Sequence, residues 1–299
     1  MKRPTSIAGM KQRMQAFGTD EGHARGLAYR PHPTDIFISP YAKCGTTWMQ
    51  QIVHGLRTGG DMDFGEITEV VPWIELAHDL ALDIHAPQKA RPHAFKSHLA
   101  WDEIPKGGRY IVVMRDPVDA FLSYYRFLEG WHFEPGSISL EAFVDYALDG
   151  SDGCTYWEHA QSWWGQRRNP DVLLLAYEDM KADLPDIVQR VADFMGGYPP
   201  ERVALATRQA GFDFMKAHAH QFDDNYLRRI LDPLCGLPPD GQSTKVSTGL
   251  AGQGRAVLSP VIRARLDDAW ALTLGKAFGL ADYAALRREL EDLRKEDAA

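Results

Sequence analysis

The chain has 299 residues, of which 44% are hydrophobic and 25% charged, and a formal net charge of −8. That length accommodates one large α/β domain or two small ones, with a core that needs no disulfide or metal to hold it. The acidic balance argues against broad nucleic-acid binding, which calls for a basic face, yet leaves room for an anionic small ligand in a locally basic pocket.

Residues 1–34 are polar, broken by Pro and Gly, and are expected to lie over the domain surface; the first twenty, "MKRPTSIAGMKQRMQAFGTD", show no apolar signal-peptide core. Ile36 to Ile38 reads as a buried strand. A small-residue loop with Lys43, Gly45, Thr46 and Thr47 follows, then a helix from Trp48 to about Arg57 that "TGGD" ends. "FGEITEVVPWIELAHDLAL" reads as loop and short helix, and "HAFKSHL" as a second strand. "RYIVVMRDP" is a continuous apolar run, as in the central strand of a parallel sheet, and "VDAFLSYYRFL" starts a helix right after Pro117. "SLEAFVDYAL" and "TYWEHAQSWWGQRR" have helical periodicity, "DVLLLAY" is a fourth strand, and "LPDIVQRVADFMG" is an amphipathic helix.

From Gly236 to Arg255 the chain is rich in Gly, Pro, Ser and Thr, a loop long enough to suggest a function. "YAALRRELEDLRKED" closes the chain as a charged helix. Alternating strands and helices predict a single three-layer α/β domain over 1–299, P-loop-like, with a mainly parallel central sheet flanked by helices. Cys44, Cys154 and Cys235 are odd in number and widely spaced, without zinc spacing, and read as reduced thiols. No run approaches the roughly 18 apolar residues of a membrane span. A cytoplasmic protein is expected.

A strand, a loop with lysine and small residues, and a helix aim backbone N–H groups at an anion. Here the lysine precedes the glycine, so the pattern is not the G-x-x-x-x-G-K-[ST] of an ATPase. Lys43 could steady charge on a leaving oxygen; alternatively it is a surface lysine in a tight turn. Lys96 and His98, two apart on one strand, share a face near its carboxyl end, and a neutral imidazole there could take a proton from a hydroxyl nucleophile. Arg115 stands where the third strand stops, with Ser123 eight residues on. The pair could grip a phosphate, or the arginine could pair with Asp116 or Asp119. Tyr177, ending the fourth strand, could meet an adenine or serve as a half-buried aromatic.

Together these segments resemble the cytosolic sulfotransferase family. Its Y-P-K-S-G-T-T-W loop resembles "YAKCGTTW", its K-T-H strand end resembles Lys96-Ser97-His98, and its R-N-x-x-D-x-x-x-S resembles "RDPVDAFLS". "YEDM" at Tyr177 to Met180, "TYWEHAQSWW" and "GFDFMK" are similar to further family segments, in matching order across about residues 34 to 255. The resemblance implies a transferase using 3′-phosphoadenosine-5′-phosphosulfate (PAPS) and releasing 3′,5′-adenosine bisphosphate, with a small hydroxyl or amine acceptor and no metal. Lys43, Cys44, Gly45, Thr46 and Thr47 would hold the phosphosulfate end, Arg115 and Ser123 the 3′-phosphate, and Trp48, Tyr177 and Phe212 the adenine. Lys43 would stabilise the leaving oxygen, Lys96 the sulfuryl group, and His98 would be the general base.

The family's late R-K-G falls on Ser247, Thr248 and Gly249, without its basic side chains, and Lys245 and Arg255 flank the gap as substitutes. The G-D-W-K that follows becomes Gly252-Gln253-Gly254-Arg255. The family's dimer segment falls on Arg255, Ser259, Pro260 and Ala264, mostly lost, so that dimer is not expected. Trp73, Phe127, Trp131, His132 and Phe133 fall where the family lines its acceptor pocket, and aromatic walls favour a flat or apolar alcohol or phenol. The rival expectations are an ATP-using, kinase-like enzyme and a non-catalytic nucleotide-binding protein on the same fold.

Overall fold

The structure, a computed structural model, describes residues 2–150, 153–243, 245, 252 and 254–297. Four strands form its sheet: β1 (Ile36–Ile38), β2 (Ala94–Lys96), β3 (Arg109–Met114) and β4 (Val172–Ala176). The order is β2-β1-β3-β4 and every pairing is parallel. Successive side chains alternate between two apolar cores, because a strand's pleat has period two. Phe37, Phe95, Tyr110 and Val112 enter one core, and Ile36, Ile38, Ile111 and Val113 the other. A sheet apolar on both faces has to be covered on both, which is why it reads as runs of Ile, Val and Leu.

The chain leaves β1 toward β2 on one side, while β3 and β4 lie on the other. The strand order therefore reverses between β1 and β3, and the crevice beyond their carboxyl ends is where such sheets bind ligands. The loop holding Lys43 leaves β1, and Arg115 leaves β3, so the topology alone sets the two side by side.

Several elements differ from the sequence expectation in extent. The helix after β1 spans Thr46–Thr58, starting two residues early because Gly45, left-handed at φ 97°, serves as its N-cap. β2 stops at Lys96: Ser97 N–H still reaches the Ile38 carbonyl, but the next N–H, that of His98, turns to the Glu75 carboxylate. Lys96 and His98 are thus brought together by a strand end and a turn, not by one pleated face. The N-terminal segment forms two helices, Ile7–Met14 and Asp20–Leu27, capped by Ser6 and Thr19, and Met10 anchors it in the core. Helices Pro200–Gln209, Phe212–Ala217, Asn225–Leu234 and Pro260–Trp270 were not foreseen. Among the described residues no helix is long and apolar enough to cross a membrane.

Candidate active site

The loop after β1 is shaped by its backbone. Lys43 is left-handed at φ 66° and its carbonyl accepts a 2.9 Å hydrogen bond from the Arg115 guanidinium. The positive φ of Gly45 favours glycine, and a Cβ there would also crowd the Tyr177 ring at 3.1 Å. The helix that follows carries no side-chain cap, leaving its first-turn N–H groups open to an anion. Cys44 turns into the core, where burial pushes its thiol up to about 12. Within the loop the thiol reaches only the Ala42 carbonyl, at 3.7 Å, so an anion would meet the Cys44 backbone and not its side chain.

The Arg115 guanidinium carbon stands over the Tyr177 ring, 4.4 Å from its centroid. It pairs with neither Asp116 nor Asp119: Asp116 caps helix Pro117–Trp131, and Asp119 accepts the N–H groups of Gly252 and Gly254. Its Nε is buried without a partner, as is the hydroxyl of Thr46. Buried donors left unpaired cost stability unless a ligand takes them up. Trp48 meets Tyr177 edge-on at 5.8 Å, its indole N–H held by the Ala210 carbonyl, and Phe212 stands 43% exposed two residues further on. Ser123 is half-buried on the helix that starts beside Arg115.

Lys43, Lys96 and His98 meet at the ends of β1 and β2. The Lys96 ammonium sits 3.6 Å above Trp73, the Lys43 ammonium 4.2 Å above Phe127, and the His98 ring packs edge-on against Trp73 at 5.0 Å. His98 Nδ1 is 2.7 Å from the Pro40 carbonyl. A carbonyl only accepts, so Nδ1 carries the hydrogen and Nε2 keeps its lone pair. Burial, then the charge of Lys96, hold the imidazole well below 6.5, outweighing the Pro40 bond, so the ring is neutral at physiological pH. Burial and the nearby Lys245 bring both Lys43 and Lys96 down to about 7, against the pull of Asp224.

A family model described as a sulfotransferase domain matches residues 33–276. The chain belongs to the sulfotransferase family. Mouse sulfotransferase 1A1 is 29% identical over 196 residues, 62% of this chain and 67% of that one. Human sulfotransferase 4A1 is 26% identical over 253 residues, 82% and 81% of the two chains. A retinol dehydratase solved with androsterone and inactive cofactor PAP superposes with a TM-score of 0.67 at 18% identity, covering 90% of this chain and 94% of its own. Mouse sulfotransferase SULT7A1, solved with PAP, gives 0.65 at 19%, covering 92% and 94%. At those identities the two structures establish the shared P-loop-like fold.

Around the lysines of this sulfotransferase runs a ring of aromatics. Trp73, Trp131 and His132 each pack on Phe17, at 6.1, 5.7 and 5.7 Å, and Phe127 closes the ring onto Trp131 at 5.5 Å. Phe133 does not join it. The helix ends at Trp131, so its successors diverge: His132 joins the ring, whereas Phe133 is wholly buried against Tyr125. Trp131 is itself almost wholly buried, its indole N–H held by Asp232 at 2.6 Å.

The late-loop candidates separate. Lys245 binds the Asp224 carboxylate and its charge is felt at Lys43, Lys96 and His98, whereas Arg255 lies 3.6 Å from Asp116 at the start of helix Pro117–Trp131. Gly249 lies outside the described residues. Phe17, Glu75, Pro40 and Asp224 were absent from the sequence reading. Glu75 follows Trp73 by two residues, the one sequence hint available; the others come from segments with no motif.

Proposed function

We propose that this sulfotransferase moves a sulfuryl group from PAPS to a hydroxyl or amine of a small-molecule acceptor, with His98 as general base and Lys43 and Lys96 as the charged residues of the transfer centre. The observation that carries the reading is the meeting of a neutral, oriented imidazole with two buried lysines at the sheet's switch point. The residues present suit the donor: the uncapped helix at Thr46 and the left-handed Lys43 form a cradle for its 5′ end, and the unpaired Arg115 Nε and half-buried Ser123 suit a 3′-phosphate. Trp48, Tyr177 and Phe212 would flank the adenine. When bound, the donor supplies the sulfuryl group.

The chain's own residues supply position and charge, which dominate a loose transfer such as that of phosphoryl groups. His98 Nε2 takes the acceptor proton while the Pro40 carbonyl keeps the ring from turning. Lys43 faces the oxygen on which charge develops, and Lys96, fixed over Trp73, faces the moving group. Phe17, Trp73, Phe127, Trp131 and His132 wall the acceptor side, which favours a flat or apolar phenol or alcohol. Retinol dehydratase, whose solved complex holds androsterone, is consistent with such an acceptor on this fold. We place the enzyme in the cytoplasm, in keeping with its unpaired cysteines.

Calorimetric titration with 3′,5′-adenosine bisphosphate, ADP and AMP tests the donor. Tight binding that collapses without the 3′-phosphate is the expected result. Equal binding of ADP, or an Mg²⁺-dependent preference for ATP, would instead favour the kinase-like alternative.

A further inference from the structure

Helix Asn225–Leu234 begins in an unusual way. Asp224 occupies its N-cap position, where an aspartate would ordinarily accept the helix's first free N–H groups, but its side chain caps nothing. The residue is left-handed at φ 61°, a conformation Asp tolerates better than most side chains, and it is 2% exposed. Its carboxylate is directed instead to Lys245, whose ammonium it binds, and it lies within the field of Lys96 and Lys43. One residue before it, the Asp223 carbonyl accepts the Ser243 hydroxyl, so the late loop is tied to this turn twice.

Three lysines thus gather in a largely buried space, with the Arg115 guanidinium near Lys43. Like charges crowded out of water need an ionised partner. Three carboxylates face them. Burial, then Asp224, raise Glu66 to about 7, and one of its oxygens has no partner. Burial raises Glu75, and its Oε1 is committed to the His98 N–H. Burial would raise Asp224 too, but Lys245, Lys96 and Lys43 outweigh it and hold the carboxyl below its ordinary value. His132, brought down to about 3 by burial, contributes no charge.

We propose that Asp224 and Lys245 belong to the transfer centre: Asp224 is a built-in counter-ion for the lysines that would meet an anionic donor, and Lys245, ion-paired to it, is a third cation set beside Lys43 and Lys96. The inference rests on the reading of Lys43 and Lys96 as transfer residues. Asp224 is a positioning residue in this scheme, acting through the lysines. The late loop, having lost basic side chains at Ser247 and Thr248, then delivers its remaining lysine to the sulfuryl end of the site.

The two residues have opposite signs, and that is the test. With lysines ¹³C-methylated in the full-length, donor-free protein, the Nζ titrations of Lys43 and Lys96 are followed by NMR in wild type, Asp224→Asn, Lys245→Met and the double variant. Asp224→Asn removes attraction and should move both titrations about one pH unit down; Lys245→Met removes repulsion and should move them up by a similar amount. The double variant should lie between. The alkaline limb of kcat/KM for PAPS, which reports the free enzyme, should move in the same directions. Shifts of one sign in both single variants, or none, overturn the proposal. Titrations that move as expected beside a rate profile that does not would overturn the role in transfer, and with it the reading of the two lysines, while donor binding by calorimetry stayed intact. Lys245→Met, a change on a loop, keeps the test open should Asp224→Asn fail to fold.

Discussion

Two loops border the proposed transfer centre, and they are held by different means. The loop from Tyr41 to Thr47 is fixed through its backbone: Cys44 N–H returns to the Tyr41 carbonyl, the Lys43 carbonyl takes the Arg115 guanidinium, and Gly45 is pressed against Tyr177. The late loop, at its described points, is tied mainly through side chains: Ser243 to Asp223, Lys245 to Asp224, Asp119 to Gly252 and Gly254, Arg255 to Asp116. A backbone cradle tolerates side-chain change and presents a fixed shape. A loop moored by ion pairs can change what it binds by changing one charge.

The largest effect should come from breaking neither loop but His98, the base proposed to stand between them. His98→Ala is expected to lower kcat by about 10²–10⁴-fold with the affinity for 3′,5′-adenosine bisphosphate unchanged, measured by steady-state rates and calorimetry. Unchanged turnover would remove His98 from the mechanism. The same residue sets a pH dependence. Its folded-state pKa is lowered, so the base stays competent as pH falls past 6.5 and is lost only well below that. An acid limb of kcat/KM centred above 6.5 would contradict the burial seen here.

Next in size are changes to the backbone-held side. Arg115→Met leaves the Lys43 carbonyl without its donor and removes the charge assigned to the 3′-phosphate. A charged hydrogen bond is worth about 1.5–3 kcal/mol, so the bisphosphate should bind roughly ten- to a hundredfold more weakly while AMP changes less. Cys44→Ser sharpens the same point from the other direction. The side chain faces the core and the loop works through its N–H groups, so donor affinity should hold within about threefold, and any loss should appear as a lower melting temperature.

The same contrast explains what the sequence could show. Strand β1, the Lys43 loop and the helix after it were legible because hydrophobic runs and small loop residues encode backbone shape directly; even so, the helix start moved to Thr46 because a left-handed Gly45 can cap it. Lys43, Lys96, Arg115 and His98 were singled out as candidates because each sits at, or in the segment just past, a strand end that the pattern marks. Yet the reason given for pairing Lys96 with His98, one pleated face, was replaced by a turn pinned on Glu75 and Pro40. Asp224 and Phe17 were invisible because their contacts run across long stretches of chain, made by a helix start and by the bend between the two N-terminal helices, neither of which carries a motif. Phe133 was drawn in by its neighbours, although adjacent residues past a helix end need not face the same way.

The smallest expected effect decides how far the late loop still serves the donor. Arg255 was expected to stand in for the family's missing basic residues, and it does lie beside Asp116, next to Arg115 in the chain. Its side chain is 52% exposed and its ion pair is 3.6 Å long, a geometry worth at most about 1 kcal/mol. A phosphate would have to compete with Asp116 for it, in water. Arg255→Ala should therefore weaken the bisphosphate less than about fivefold, an effect that fades as salt rises, because exposed charges are screened within about 10 Å at 0.1 M. Arg115→Met, with its guanidinium buried, should lose the same affinity at low and high salt alike. A loss from Arg255→Ala as large as that from Arg115→Met, and as insensitive to salt, would mean that donor binding pulls Arg255 off Asp116 into a closed site, and that the late loop retains its hold on the 3′-phosphate after all.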